Sequence, residues 1–278
     1  MLGAWGHAWA DPPPVPLPAK VNRITRPPLG YAPPGARLGF VLYDVAKDEL
    51  TIMDPGLAET RLVPASTYKI PNALVGLETG VVTGEHFTLT WDGIQRDRES
   101  WNRDHDLASA IKESAVWYFQ VVARRVGLAR MQEKVKAFGY GNQNIGITVD
   151  RFWLDGPLAI SAVEQVEFLR RLRAAARGDK VPWALPVSRE HAELVLKLIV
   201  RRESDGWVLR GKTGMMRGRK PERVGWLVGY VDAPKGSWIY ATVMTGKDAA
   251  GQAIFDGRET VTLGILSTLG VSFPMPSP

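Results

Sequence analysis

Residues 64–72 read Pro-Ala-Ser-Thr-Tyr-Lys-Ile-Pro-Asn and place a serine, Ser66, three positions before a lysine, Lys69. Residues three apart on a helix share one face, so the two side chains are expected to meet. Ser66 would stand at the helix N-terminus, where free N–H groups and the positive dipole end can stabilise an oxyanion. Pro71 predicts a distorted first turn, because proline does not fit a regular helix. The pair is a candidate nucleophile and base, although Ser-x-x-Lys often occurs by chance.

The chain that follows has the apolar spacing of three to four residues that is typical of amphipathic helices. We predict helices over 107–127, 129–138, 162–177 and 189–202. The third is supported by a capping box, Ser161 with Glu164, and by a stop at Gly178. Residues 66–205 are therefore expected to form a helical domain.

Strand-like segments lie on both sides of this helical part. A hairpin is predicted over 38–45 and 50–53, three more strands over 207–210, 224–231 and 238–245, and a final helix over 252–269. Residues 37–65 and 206–278 would then build one α/β domain around a single antiparallel sheet. The predicted fold class is α/β plus all-α, with helices flanking the sheet, a helical domain inserted, and an active-site cleft between the two domains.

The first 36 residues are predicted to lie outside this core. Residues 1–10 are mostly apolar or small and end in Ala8-Trp9-Ala10, which resembles a signal-peptidase site. We interpret them as the remnant of a signal peptide, which predicts export to the periplasm. Residues 11–36 contain nine prolines, which exclude regular helix or a central strand and favour an extended arm on the surface.

Composition narrows the possible partners. The 278 residues carry a formal net charge of +6, with basic clusters at 170–173, 201–202 and 217–223 that are expected to lie on solvated helix faces or loops. No nucleic-acid-binding module accompanies them, so an anionic small molecule is the expected partner rather than a nucleic acid. No apolar run is long enough for a membrane span, and the absence of cysteine excludes disulfides and a thiol nucleophile.

A serine nucleophile usually takes a histidine as its base, but the four histidines offer no such arrangement. His7, His86, His105 and His191 also lack metal-ligand spacing, so no metal is expected. Lysine is then the remaining candidate for the base.

Four further motifs follow residues 64–72. They are Ser114-Ala115-Val116, Tyr140-Gly141-Asn142, Asp150-Arg151-Phe152-Trp153-Leu154 and Lys212-Thr213-Gly214. With these motifs in this order, the sequence resembles the class D (oxacillinase-type) serine β-lactamases from about residue 37 to 270. The resemblance implies the serine β-lactamase/penicillin-binding-like fold and the opening of penicillin-like β-lactams.

The resemblance also implies roles for individual residues. Ser66 would be the acylated nucleophile, and Lys69 would react with carbon dioxide to form a carbamate that acts as general base. No other cofactor is expected. Ser114 would relay a proton toward the leaving nitrogen, and Lys212 would tune that serine and attract the substrate carboxylate. A dry pocket for Lys69 would come from Tyr68, Val116, Phe119, Trp153 and Leu154.

Substrate binding is assigned in the same way. Thr213 and Arg258 would complete the carboxylate site, and Gly214 belongs to the same motif. The backbone N–H groups of Ser66 and Met215 would form the oxyanion hole. Many relatives carry an aromatic residue where this chain has Met215, which leaves the substrate profile open. The Tyr140-Gly141-Asn142 motif is expected to shape the cleft rather than react.

Three alternatives remain at this stage. A β-lactam sensor domain would be acylated without turnover. A penicillin-binding transpeptidase shares the Ser-x-x-Lys and Lys-Thr-Gly motifs. A nucleic-acid-binding or purely structural protein is the alternative that fits the sequence least well. Either a monomer or a homodimer is compatible with the sequence.

Overall fold

A computed structural model describes residues 12–25, 30–217, 222–247 and 250–271. The strands are β1 (Lys20–Ile24), β2 (Ala36–Asp44), β3 (Glu49–Met53), β4 (Val200–Ser204), β5 (Trp207–Arg217), β6 (Glu222–Ala233) and β7 (Gly236–Lys247). The α-helices are α1 (Pro55–Ala58), α2 (Lys69–Glu78), α3 (Leu107–Glu113), α4 (Val116–Val126), α5 (Leu128–Ala137), α6 (Ala162–Arg177), α7 (Arg189–Leu198) and α8 (Gly251–Thr268). Short 3₁₀ turns cover Ala65–Tyr68 and Glu99–Trp101.

The strands form one sheet in the order β1-β3-β2-β7-β6-β5-β4. All pairs are antiparallel except β1 with β3, which is parallel, so the sheet is mixed rather than purely antiparallel as predicted. β1 comes from the proline-rich arm and lies at the edge of the sheet. An edge strand needs hydrogen-bonding partners on one side only, which is why a proline-rich segment can supply it.

β2 lies inside the sheet and is buried on both faces. Leu38, Phe40 and Leu42 contribute to the core between the sheet and α8. Val41 and Tyr43 point the opposite way, into the core that the sheet shares with the other helices. The period of two along a strand therefore divides its side chains between two cores. α6 belongs to the second core and packs against β2 and β7.

Two predicted helices differ from their predicted bounds. The helix predicted over 107–127 is broken into α3 and α4, because Ser114 takes a left-handed conformation (φ 59°) and ends α3. The helix predicted over 189–202 ends at Leu198 and is followed by β4. β4 and β5 form a hairpin whose two-residue turn is Asp205-Gly206, both with positive φ. Asp-Gly is a strong signal for such a turn, and the sequence analysis overlooked it.

The basic cluster at 170–173 is not solvated as expected. Arg170 and Arg171 are buried, and the Arg170 guanidinium lies 4.1 Å from the centre of the Tyr43 ring. Arg171 donates to the carbonyl oxygen of Phe138 at 2.6 Å. These arginines join α6 to the sheet and to the helical layer, and their apolar stems fill the core.

Two predictions fall wholly or partly on residues that the structure does not describe. The proposed signal-peptide remnant, residues 1–10, lies outside the described residues, as do residues 218–221 of the basic segment 217–223. In the described part of the chain, no helix is both long and apolar enough to cross a membrane.

The packing of α8 on the sheet depends on Gly225 of β6. A Cβ at this position would lie 2.4 Å from Cγ2 of Ile254, which is fully buried on α8. We expect Gly225→Ala to lower the free energy of unfolding by about 1–3 kcal/mol, because the close-packed core must move to accept the methyl group. Urea unfolding measures this. Gly84→Ala is the control, since a Cβ there meets nothing within 4 Å, and an equal loss in both variants would contradict the packing argument.

Candidate active site

Ser66 and Lys69 meet as the spacing predicts. Ser66 lies in the 3₁₀ turn Ala65–Tyr68, and Lys69 is the first residue of α2. The Lys69 Nζ lies 2.8 Å from the Ser66 Oγ. Pro71 falls in the first turn of α2. The N–H groups of the first turn have no carbonyl partner within the helix, so the N–H group that proline lacks is not missed there. A tight 3₁₀ turn followed by an α-helix is the distorted start that the proline predicts.

Lys69 is buried completely, and it lies in apolar surroundings. Its Nζ is 5.5 Å from the centre of the Phe119 ring. Burial lowers the pKa of the Lys69 amine from 10.5 to about 7, with a smaller contribution from the positive charge of Arg98. A large fraction of the amine is therefore neutral near pH 7, and a neutral amine can accept the proton of Ser66.

Trp153 forms part of the aromatic cluster around Tyr68, the residue before Lys69. Its ring stacks on Tyr68 with the centroids 5.5 Å apart, and it meets Phe152 edge to face. Trp153 is fully buried, and among the described residues its Nε1 has no hydrogen-bond partner. Asn72, one turn after Lys69, has an Oδ1 in the same condition. Unpaired buried polar atoms are uncommon in folded proteins, so both mark a place where a further polar group would fit.

Ser114 and Lys212 form a second polar pair. Ser114 lies between α3 and α4 and has a left-handed backbone conformation. Its Oγ accepts a hydrogen bond of 3.1 Å from Lys212 Nζ. Lys212 also donates to the carbonyl oxygen of Thr213 at 3.2 Å. Burial lowers the pKa of Lys212 well below its usual value, and the nearby charge of Lys69 adds to this. The serine and lysine can thus pass a proton between them.

β5 is held directly against the turn that carries Ser66. A Cβ at Gly214 would lie 2.8 Å from the Pro64 carbonyl oxygen, so only glycine allows this approach. On β6, the paired residue Trp226 donates through Nε1 to the carbonyl oxygen of Val63 at 3.0 Å. Together these contacts fix the strand edge beside the nucleophile, which is where an oxyanion hole requires backbone N–H groups.

The side chains after Gly214 point in opposite directions, as expected along a strand. Met215 packs with the core on the α8 side of the sheet, whereas Met216 packs with the core on the helical side. Met216 therefore shares the face of Lys212. Met215 was predicted to contact a substrate through its side chain, but Met216 is the methionine that the strand directs toward the helical layer.

Arg258 supplies another positive charge from α8. Its guanidinium carbon lies 4.3 Å from the centre of the Phe255 ring, and in the described structure its Nη1 is buried without a hydrogen-bond partner. Burial lowers the Arg258 pKa to about 10, and the charge of Arg201 contributes. Glu259, the next residue, pairs with Arg201 and Arg202 instead. The Arg258 guanidinium is left with capacity to bind an anion such as a carboxylate.

The remaining predicted site residues lie near these groups with different exposure. Phe119 is fully buried on α4, and Val116, at the start of the same helix, is half-buried. Leu154 and Thr213 are also half-buried. No cluster of three or more histidine, aspartate or glutamate side chains that could hold a metal occurs in the described ranges.

The Tyr140-Gly141-Asn142 motif supports the loop that carries Trp153. A Cβ at Gly141 would lie 2.2 Å from the Ala159 carbonyl oxygen, and its φ is 55°. The Asn142 side chain accepts from the Ala159 N–H and donates to the Pro157 carbonyl oxygen at 2.8 Å. These contacts hold the motif against residues 157–159, and its role in shaping the cleft stays a prediction.

Other contributing residues were not identified from the sequence. Gln165 on α6 donates to the Thr67 Oγ1 at 2.9 Å, and Thr67 donates to the Pro64 carbonyl oxygen at 2.8 Å. This buried chain of hydrogen bonds holds the turn around Ser66. His105 is buried, and its ring nitrogens bond to the Ser100 carbonyl oxygen and the Ser109 hydroxyl. No local pattern marked these residues, because their partners are set by the tertiary fold.

This geometry agrees with comparisons to known proteins. The family model of the penicillin binding protein transpeptidase domain matches residues 39–256. Probable beta-lactamase YbxI of Bacillus subtilis is 38% identical over 232 residues, which cover 84% of this chain and 80% of the relative. The crystal structure of the class D β-lactamase YbXI from Nostoc has a TM-score of 0.75 and 36% identity, covering 84% of this chain and 95% of that one.

A third relative is named as a regulatory protein rather than as a β-lactamase. Regulatory protein BlaR1 of Bacillus licheniformis is 35% identical over 234 residues, but the match covers only 37% of its length. The fold and the Ser66–Lys69 pair define a domain of the penicillin-binding transpeptidase type. Within that type, the chain belongs to the class D serine β-lactamases, and it is an enzyme of the hydrolase class.

The lowered pKa of Lys69 has a consequence for stability. Between about pH 7 and 10.5 the unfolded chain holds a proton on this amine that the folded chain does not, so the buried lysine destabilises the fold increasingly as the pH falls toward 7. We expect Lys69→Met to be more stable than the native protein below pH 7. Above pH 7 this advantage should shrink by about 1.4 kcal/mol per pH unit.

Urea unfolding at several pH values, in buffers freed of carbon dioxide, measures the difference. Lys112→Met, at an exposed lysine on α3, is the control for replacing a lysine with methionine, and it gives the baseline at each pH. An advantage of Lys69→Met that is the same at every pH would contradict the assignment.

Proposed function

We propose that this enzyme hydrolyses penicillin-like β-lactams through an acyl intermediate on Ser66. The observation that carries the proposal is the 2.8 Å contact between Ser66 Oγ and a buried lysine amine whose pKa is about 7. A serine hydroxyl needs a base within hydrogen-bond reach, and this amine is neutral enough to be one.

The reaction then follows from the positions of the polar groups. Ser66 Oγ attacks the lactam carbonyl carbon and gives its proton to the base at Lys69, while the backbone N–H groups of Ser66 and Met215 stabilise the oxyanion. The carbon–nitrogen bond of the ring breaks, and the nitrogen takes a proton through Ser114, which Lys212 contacts at 3.1 Å. Water then adds to the acyl carbon and gives a proton to the base at Lys69, the ester bond to Ser66 breaks as the Ser66 Oγ takes that proton back, and the ring-opened acid leaves.

Substrate binding relies on positive charge. Lys212 and Arg258 would bind the ring carboxylate, with the Thr213 hydroxyl as a further donor. The side chains of Val116, Phe119, Trp153 and Leu154 would exclude water around Lys69, and Gly214 lets the strand edge approach the nucleophile.

We further propose that Lys69 carries carbon dioxide as a carbamate, which would supply the general base when present. Two features of the chain fit this group. Burial lowers the pKa of the amine to about 7, so a large fraction is in the neutral form that reacts with carbon dioxide. The Nε1 of Trp153, which has no partner among the described residues, and the place of this ring beside Tyr68 offer a donor to a carbamate oxygen. Export to the periplasm stays a prediction, since it depends on residues 1–10.

The match to a regulatory protein keeps a second candidate function, the binding of β-lactams without turnover. Both functions require acylation of Ser66. They differ in the lifetime of the acyl-enzyme, which intact-mass measurement after mixing with a chromogenic cephalosporin would determine directly.

We expect Ser66→Ala to lose covalent labelling by benzylpenicillin and to lower kcat roughly 10⁴-fold or more, because the nucleophile is absent. Intact mass reports the label, and absorbance reports hydrolysis. Ser204→Ala on β4 is the control and should keep both. A stable adduct on the Ser66→Ala protein would show that another residue is the nucleophile.

We expect activity to fall when carbon dioxide is removed and to recover when bicarbonate is added at neutral pH. Below pH 7 the Lys69 amine is protonated and cannot take up carbon dioxide, so activity should fall in acid. Trp153→Phe keeps the stacked ring but lacks the N–H, and it should need more bicarbonate. Trp183→Phe, a tryptophan change elsewhere in the chain, should not.

A second measurement does not depend on activity. With ¹³C-labelled bicarbonate, NMR should show a protein-bound carbamate signal that disappears in Lys69→Met. Equal rates with and without bicarbonate, together with no such signal, would overturn the carbamate proposal and leave the amine itself as the base.

A further inference from the structure

Arg98 lies in the segment that precedes α3, and it has no role in the mechanism above. It directly precedes the 3₁₀ turn Glu99–Trp101, and its Nη1 donates to the Glu113 carbonyl oxygen at 3.2 Å. Trp101 donates to the same oxygen at 2.9 Å, and its ring centre lies 5.5 Å from the Arg98 guanidinium carbon. Glu113 is the residue before Ser114. These contacts hold an exposed guanidinium close to the residue that relays the proton.

The charge of Arg98 reaches the other cations of the site. It contributes to the lowered pKa values of Lys69, Lys212 and Arg258, after burial in each case. Among the residues that the structure describes, no carboxylate oxygen lies within 4 Å of the Arg98 guanidinium. Of the acids in the surrounding segment, Asp92 pairs with Arg96, while Asp97 and Glu99, the neighbours of Arg98 in the sequence, are exposed. Arg98 is therefore an exposed cation at the edge of the site that makes no ion pair among the described residues.

We propose that Arg98 selects substrates, by binding a second carboxylate on the acyl side chain of a penicillin while Lys212 and Arg258 bind the ring carboxylate. This inference rests on the proposed function. A substrate with two negative charges gains attraction from each cation, and a guanidinium is suited to a carboxylate because its N–H groups form a planar fork. Charge at the mouth of a site also speeds the approach of an oppositely charged molecule.

The test compares two penicillins that differ by one carboxylate. Benzylpenicillin has a neutral acyl side chain, and carbenicillin is the same molecule with an α-carboxylate. The quantity measured is the second-order rate constant for acylation of Ser66, followed by intact mass after rapid quenching. The selectivity is the ratio of the carbenicillin constant to the benzylpenicillin constant.

The two variants compared are Arg98→Gln and Arg103→Gln. Arg103 is an exposed arginine five positions further along, so its replacement removes the same charge from the same segment. We expect Arg98→Gln to lower the selectivity about fivefold, and Arg103→Gln to leave it within about twofold. Raising the salt concentration should lower the selectivity of the native protein and change that of Arg98→Gln much less.

Each outcome decides the proposal. An unchanged selectivity in Arg98→Gln would overturn it, and so would an equal fall in both variants, which would indicate only a general field. Acylation is measured rather than turnover, so a protein that is acylated but does not release product would contradict the proposed hydrolysis while still testing Arg98. A native protein that neither penicillin acylates would overturn both.

Discussion

A lysine amine kept out of water beside a serine is the constraint on which the rest of this structure depends. An ammonium ion is costly to bury, so the fold must surround Lys69 closely enough that the neutral form becomes accessible near neutral pH. Tyr68, Phe119 and Trp153 provide that surrounding, and each is fully buried. The Tyr140-Gly141-Asn142 motif and the chain of hydrogen bonds through Gln165 act further out, by fixing the loop and the turn that hold these groups.

The same site gathers Lys69, Lys212 and Arg258, none of which makes an ion pair among the described residues. The charges of Lys69 and Arg258 lower the pKa of Lys212, and the charges of Arg201 and Arg98 lower that of Arg258, in each case after burial, which is unfavourable for folding in the absence of an anion. Functional sites commonly carry such a cost to stability, because the groups that destabilise the free protein are the ones that bind substrate. A carboxylate-bearing substrate would relieve the repulsion, and this links the stability of the site to its preference for anions.

The parts of the fold that were predicted well are those with local causes. α6 begins at a capping box and ends at Gly178 with the predicted bounds, because both signals lie within the helix and its caps. The end of α7 and the division of α3 from α4 were missed. In the first case a two-residue turn, Asp205-Gly206, forms the hairpin that limits the helix, and in the second the left-handed Ser114 interrupts an apolar pattern that continues on both sides.

The sequence by itself determined the chemistry that is available: a serine one turn before a lysine, motifs in a recognisable order, and apolar periods that specify helices and strands. Only the tertiary structure decided which of these groups meet. Ser114 and Lys212 are 98 positions apart and become hydrogen-bond partners because β5 is packed against the turn that carries Ser66. The left-handed Ser114, the burial of Arg170 and Arg171, and the position of Arg98 likewise depend on contacts between distant segments. Local patterns report the preferences of neighbouring residues, whereas such contacts are set by how all the elements pack together.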